Sequence, residues 1–269
     1  MRYNIDNLVI EITRKCNLKC RHCLRGPARN NNITQDMINK IVSKFKYIDV
    51  ITFGGGEPSL FPEAIEWFND AIQMYNVAVG NFYVVTNGKK YSQKLYDACY
   101  KLYNLCDANE ISGFCISDDE FHREYIPDRI KWEYNKVKYA AYPYYYTDYR
   151  YDEDMNEEIY YDIISEDDYL PYFREGEKSH KDGHFDGIIK MGRAETNSIW
   201  HRTLDVYCPT LEHYNDNTIR VKDGLFYITY DGDIFPDCDL SYNVMNKGKY
   251  KLGNIDNFEE VIGKLEFDD

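Results

Sequence analysis

Leu8-Val9-Ile10-Glu11-Ile12-Thr13 runs straight into Arg14-Lys15-Cys16-Asn17-Leu18-Lys19-Cys20-Arg21-His22-Cys23. The first six residues, apolar and largely β-branched, read as a buried strand. The thiols that follow are separated by three residues and then by two. At that spacing one short loop can wrap a single metal centre. Three thiolates satisfy three irons of a four-iron cluster and leave one coordination position open, as a reactive cluster requires. Zinc is the rival reading, although a structural zinc site normally closes with four ligands and only His22 lies near enough to fold back. Three reduced bystander thiols are the plain alternative.

Outward from this loop, Thr34 can cap a helix whose apolar face is Met37, Ile38, Ile41, Val42 and Phe45. Residues 48–53 form a second strand that meets Gly54-Gly55-Gly56-Glu57-Pro58. Pro62 suits the first turn of a second helix carrying Ile65, Phe68, Ile72 and Tyr75. A third strand, 81–85, ends in Thr86-Asn87-Gly88, and a third helix sets Leu95, Cys99, Leu102 and Cys106 on one side. Both cysteines read as core residues, as does Cys115 within a fourth strand at 110–117. A charged helical stretch reaches Lys131, and residues 137–142 and 187–191 are expected as strands five and six.

This alternation predicts an α/β fold, a partial (β/α)6 TIM-type barrel of parallel βαβ units with its chemistry at the C-terminal strand ends. Past Gly192-Arg193-Ala194 the pattern changes. Residues 224–235 predict a β-hairpin turning at Asp231-Gly232, and Leu252-Gly253-Asn254-Ile255 with a short terminal helix near 258–265 complete the segment. The expected division is a barrel domain at 1–199 and a small C-terminal α+β appendage at 200–269.

The cysteine spacing after a first strand, together with Gly55-Gly56-Glu57-Pro58, resembles the radical S-adenosylmethionine (SAM) superfamily. Several further motifs occur in the order that resemblance requires. It implies one [4Fe-4S] cluster on Cys16, Cys20 and Cys23, with SAM on its open iron. Gly55, Gly56 and Glu57 match the positions that hold the SAM amino group, and consecutive glycines let backbone approach a ligand without a Cβ in the way. Thr86 and Asn87 match a feature near SAM, Ser117 and Asp119 the ribose contacts, and Arg129 (with Arg123 second) a clamp on the methionine carboxylate. His22 matches a position close to the adenine, and Gly192-Arg193-Ala194 the floor beneath adenine and ribose. The implied chemistry is one-electron cleavage of SAM to a 5′-deoxyadenosyl radical, which takes hydrogen from a bound substrate. A flavodoxin or ferredoxin is the electron donor implied.

Eight cysteines among 269 residues without a visible secretion signal point to reduced thiols and to the cytoplasm. No apolar run is long enough to cross a membrane. A net charge of −14 disfavours a long nucleic acid as substrate. Cys208 and Cys238 are too few for a second cluster and read as core residues or a hydrogen-atom donor. Tyrosines at 142–151 followed by carboxylates from Asp152 to Asp168 read either as a solvated face or as a lid over a planar, nitrogen-rich ligand. The favoured substrate is nucleotide-like, and lyase cleavage of queuosine 5′-phosphate to queuine is the leading specific expectation. Modification of a ribosomally made peptide and activation of a glycyl radical enzyme are the alternatives.

Overall fold

The computed structural model describes residues 1–108, 112–117, 190–198, 204–214 and 218–268. Four parallel strands alternate with three helices: β1 (Tyr3–Thr13), α1 (Gln35–Val42), β2 (Phe45–Gly55), α2 (Glu63–Tyr75), β3 (Ala78–Thr86), α3 (Gln93–Tyr103) and β4 (Gly113–Ile116). Thr34 caps α1 through its hydroxyl, which accepts from the Met37 amide, and Ser92 caps α3 in the same way. Phe45 is not on α1 as its spacing suggested. The helix stops at Val42, and Phe45 opens β2 in register with Tyr3.

Ile38, Ile41, Ile65, Phe68, Ala98, Cys99 and Leu102 press one helix layer onto Leu8, Ile10, Ile51, Phe53, Phe82 and Val84 of the sheet. Cys99 and Cys106 are buried in this core, as expected, although Cys106 lies just beyond the end of α3. Cys115 is exposed, a correction with a simple geometric cause. It stands in register with Val85, itself exposed, on the sheet face turned away from the helices.

The last quarter of the chain joins the same sheet. β5 (Thr210–Tyr214) and β6 (Thr218–Lys222) form an antiparallel pair, as do β7 (Phe226–Ile228) and β8 (Asp233–Phe235), with β9 (Gly253–Asn254) beyond β8. The predicted hairpin turn is present, with Gly232 in the left-handed region at φ 87°. Both β6 and β7 lie parallel to β1, at Asn4–Ile5 and Leu8–Ile10, so β1 is interior. The sheet order β4-β3-β2-β1-β7-β8-β9 is open, as a partial barrel requires.

Three short helices complete the described chain: α4 (Gly192–Thr196), α5 (Tyr242–Asn246) and α6 (Phe258–Ile262). Phe258 of α6 meets Tyr3, Phe45 and Phe226 edge-on. On the other face of β1, Val9 packs with Tyr227, Phe235, Leu240, Tyr242 and Met245. Expected strand five and the tyrosine and acidic segment lie outside the described residues. So does most of expected strand six, whose last residues, Lys190 and Met191, form a bend.

Candidate active site

The loop after β1 is tied at both ends. The Ile33 amide donates to Ile12 O, the Arg14 amide to Asn31 O and the Arg29 amide to Arg14 O, so the intervening chain returns to the strand it left. Within it, Cys16, Cys20 and Cys23 line one open cleft together with Gly55, Gly56, Arg14, Arg25, Arg193 and Tyr242. Burial pushes the Cys16 thiol above its ordinary range. The Leu18 amide, at 3.4 Å, and the Asn87 side-chain amide, at 3.8 Å, both donate to the Cys16 sulfur. Such donors stabilise a thiolate that a metal has deprotonated.

The glycine run serves the protein's own backbone first. Gly55 has φ 117°, and a Cβ there would lie 2.3 Å from Thr13 O. One on Gly56 would lie 2.1 Å from Lys15 O. That close approach lets the Gly56 amide donate to Thr13 O and the Glu57 amide to Lys15 O, both at 2.7 Å. The end of β2 is thereby locked to the root of the cysteine loop.

Glu57 is 1% exposed. Its carboxylate accepts from the Thr86 hydroxyl at 2.7 Å, the Asn87 amide at 2.8 Å and the Ser59 amide at 3.0 Å. It therefore joins the ends of β2 and β3. Asn87 extends this tie, its side chain donating to Asn17 Oδ1 at 2.8 Å as well as to Cys16. Ser117, half-buried, donates its amide to Thr86 O at the end of β4. His22 is half-buried in the cysteine loop but does not line the cleft. Asp119 and Arg129 lie outside the described residues.

Gly192-Arg193 braces the loop. Gly192 is left-handed at φ 55°, and a Cβ there would meet Leu24 O at 2.2 Å. The Arg193 amide donates to Cys23 O at 2.9 Å, its guanidinium to Cys20 O at 3.2 Å, and the Asn197 side chain to Arg21 O at 2.8 Å. Three carbonyls of the cysteine loop are thus held by α4 and the residue after it.

The remaining wall was not visible in the sequence. Arg14, 3% exposed, forms a two-point ion pair with the fully buried Glu11. Its guanidinium lies between the rings of Tyr230 and Tyr242, 4.7 and 4.4 Å from their centres. Arg25 lies over Tyr227 at 4.6 Å and donates to Leu240 O at 2.6 Å, while the Tyr242 amide donates back to Arg25 O. Burial pushes the Glu11 carboxyl up, with Arg14, Arg25 and the Tyr227 hydroxyl acting against it. Three thiols on one short tied loop, with amide donors to sulfur and a cationic wall, fit an anionic iron–sulfur cluster with room beside it.

Residues 10–134 match the family model described as Radical SAM superfamily. A probable GTP 3′,8-cyclase of Methanococcus aeolicus is 36% identical over 102 residues, 35% of this chain and 34% of that protein. One of Methanococcus maripaludis is 36% identical over 105 residues, 35% of this chain and 33% of that protein. The chain thus spans about a third of the length of the curated relatives it matches. Similar solved structures include native anSMEcpe with bound AdoMet and Cp18Cys peptide, at 15% identity, 96% and 80% coverage of the two chains and TM-score 0.43. Another is Streptococcus suis SuiB bound to S-adenosylmethionine, at 13% identity, 98% and 65% coverage and TM-score 0.45.

Proposed function

We propose that this chain, an enzyme whose residues 10–134 form a radical SAM segment, uses Cys16, Cys20 and Cys23 to hold one [4Fe-4S] cluster beside a SAM site. The observation that carries this reading is the single cleft shared by those thiols and the Gly55-Gly56 backbone. When bound, the cluster and SAM supply an electron and a 5′-deoxyadenosyl radical that removes hydrogen from the substrate. The protein's own residues bind, orient and exclude water. Gly55 and Gly56 offer backbone to the SAM amino group, while Glu57 and Thr86 hold that backbone in place and Asn87 fixes the loop at Cys16. Ser117, Asp119 and Arg129 are proposed for the ribose and the methionine carboxylate, and His22 for the adenine side. The division near residue 200 is kept as a proposal of sequence organisation, and a flavodoxin or ferredoxin as the proposed electron donor.

For the substrate we favour a nucleotide. The matched relatives are named for GTP, a purine nucleotide. The finer reading is lyase cleavage of queuosine 5′-phosphate, releasing queuine. Anaerobically reconstituted protein, given SAM and a reductant, is expected to form 5′-deoxyadenosine, and single Cys→Ala changes at 16, 20 and 23 should each reduce it to background. Persistence in any one of them would sink the cluster assignment. Adding queuosine 5′-phosphate or GTP in separate reactions decides the substrate: free queuine supports the lyase, and a cyclised GTP product replaces it.

A further inference from the structure

Three arginines line the cleft beside the cysteines, Arg14, Arg25 and Arg193, and the surroundings of Arg14 and Arg25 differ. Arg14 is paired at two points with Glu11, so its charge is largely compensated. The groups that hold Arg25 are neutral among the described residues: the Leu240 carbonyl and the Tyr227 ring face. The Tyr227 hydroxyl meanwhile donates to Glu11 at 3.0 Å, which helps keep that carboxylate on Arg14. A guanidinium does not lose its proton in a protein, so Arg25 is a permanent positive charge. Its position is fixed from the far end of the chain, through Leu240 and the Tyr242 amide.

We propose that Arg25 is a positioning residue of fixed charge that raises the reduction potential of the cluster held by Cys16, Cys20 and Cys23. This rests on the cluster reading above. Reduction adds an electron to an already anionic group, and a nearby cation stabilises the more negative form; charge around a cluster is one of the factors that set its potential. Arg14 does less in this respect while Glu11 faces it. Glu11 thus offsets part of the positive charge that Arg14, Arg25 and Arg193 bring to the cleft, and neutralising it would leave the cleft more positive.

The test is a redox titration of reconstituted protein without SAM, followed by electron paramagnetic resonance, with iron and sulfide assayed in parallel. In Arg25→Gln the midpoint should move negative, with the reduced-to-oxidised ratio at a fixed potential falling on the order of tenfold, as for a unit charge lost nearby in a medium of effective dielectric about 20. Arg25→Lys should stay close to the parent. Glu11→Gln, which keeps the shape of the side chain, should move the midpoint the opposite way. If Arg25→Gln loses the cluster, Glu11→Gln decides alone: a positive shift supports the proposal. The proposal is overturned if the Lys and Gln forms shift alike, if Glu11→Gln leaves the midpoint unchanged or lowers it, or if both Gln variants lose the cluster while the Lys form keeps it. Parent protein that takes up no four-iron cluster would remove the underlying cluster reading instead, and iron and sulfide content separates that case from the others.

Discussion

Glu57 and Gly192 carry structural duties that their motifs did not announce. The Glu57 carboxylate gathers three donors, and glutamine offers only one oxygen in return. Glu57→Gln leaves a buried amide donor facing an NH2 group, costing about 1–3 kcal/mol. Thermal denaturation should therefore show a fall of several degrees in Tm. Gly192→Ala adds a Cβ against Leu24 O to the roughly 1–2 kcal/mol of a left-handed backbone. Gly248, at φ 69° with open space around it, incurs only the second of these. Denaturant midpoints should rank Gly192→Ala below Gly248→Ala, and the former should also retain less iron. That the three cysteines share one cleft was legible because close spacing on one short loop is a local property. Arg14 and Arg25 were not, since Asn246 and Leu240, more than two hundred residues away, help to hold them.

Among the elements, those with local punctuation were the readable ones. Thr34 and Ser92 mark helix starts, and Asp231-Gly232 marks a hairpin turn. The parallel pairing of β6 and β7 with β1 has no such signal, because nothing within either strand encodes a partner so distant. Cys115 shows a related limit: its strand was legible, its face was not. α6 has only five residues and is held by packing rather than propensity. Phe258→Ala removes the ring that joins Tyr3, Phe45 and Phe226, so urea unfolding should report a loss of about 3–5 kcal/mol. A loss below about 1 kcal/mol would mean that α6 does not close the core at this end.

For the molecule as a whole, no described helix is long and apolar enough to cross a membrane. The buried Cys106 and half-buried Cys238 make a pH prediction. Burial pushes Cys106 and Cys238 up to about 12, from an ordinary value near 8.5. The folded state holds these protons more tightly than the unfolded chain, so their contribution is complete below about pH 8.5 and is lost as pH rises toward 12. Denaturant midpoints should fall between pH 8 and pH 10.5, and by less in Cys106→Ala than in the parent, each compared with its own value at pH 8. The interior position of β1 also has a consequence for synthesis. While a ribosome is still making the chain, the edge of β1 that β6 and β7 will occupy has no partner until residues 218–228 emerge. β1 is thus enclosed well after it has been translated. Tyr242, which lines the cleft with the three cysteines, and the Tyr227 and Leu240 that pack in its cluster are all in place only once residue 242 has emerged. Closure of that cleft is consequently a late event, timed by translation of the segment through Tyr242.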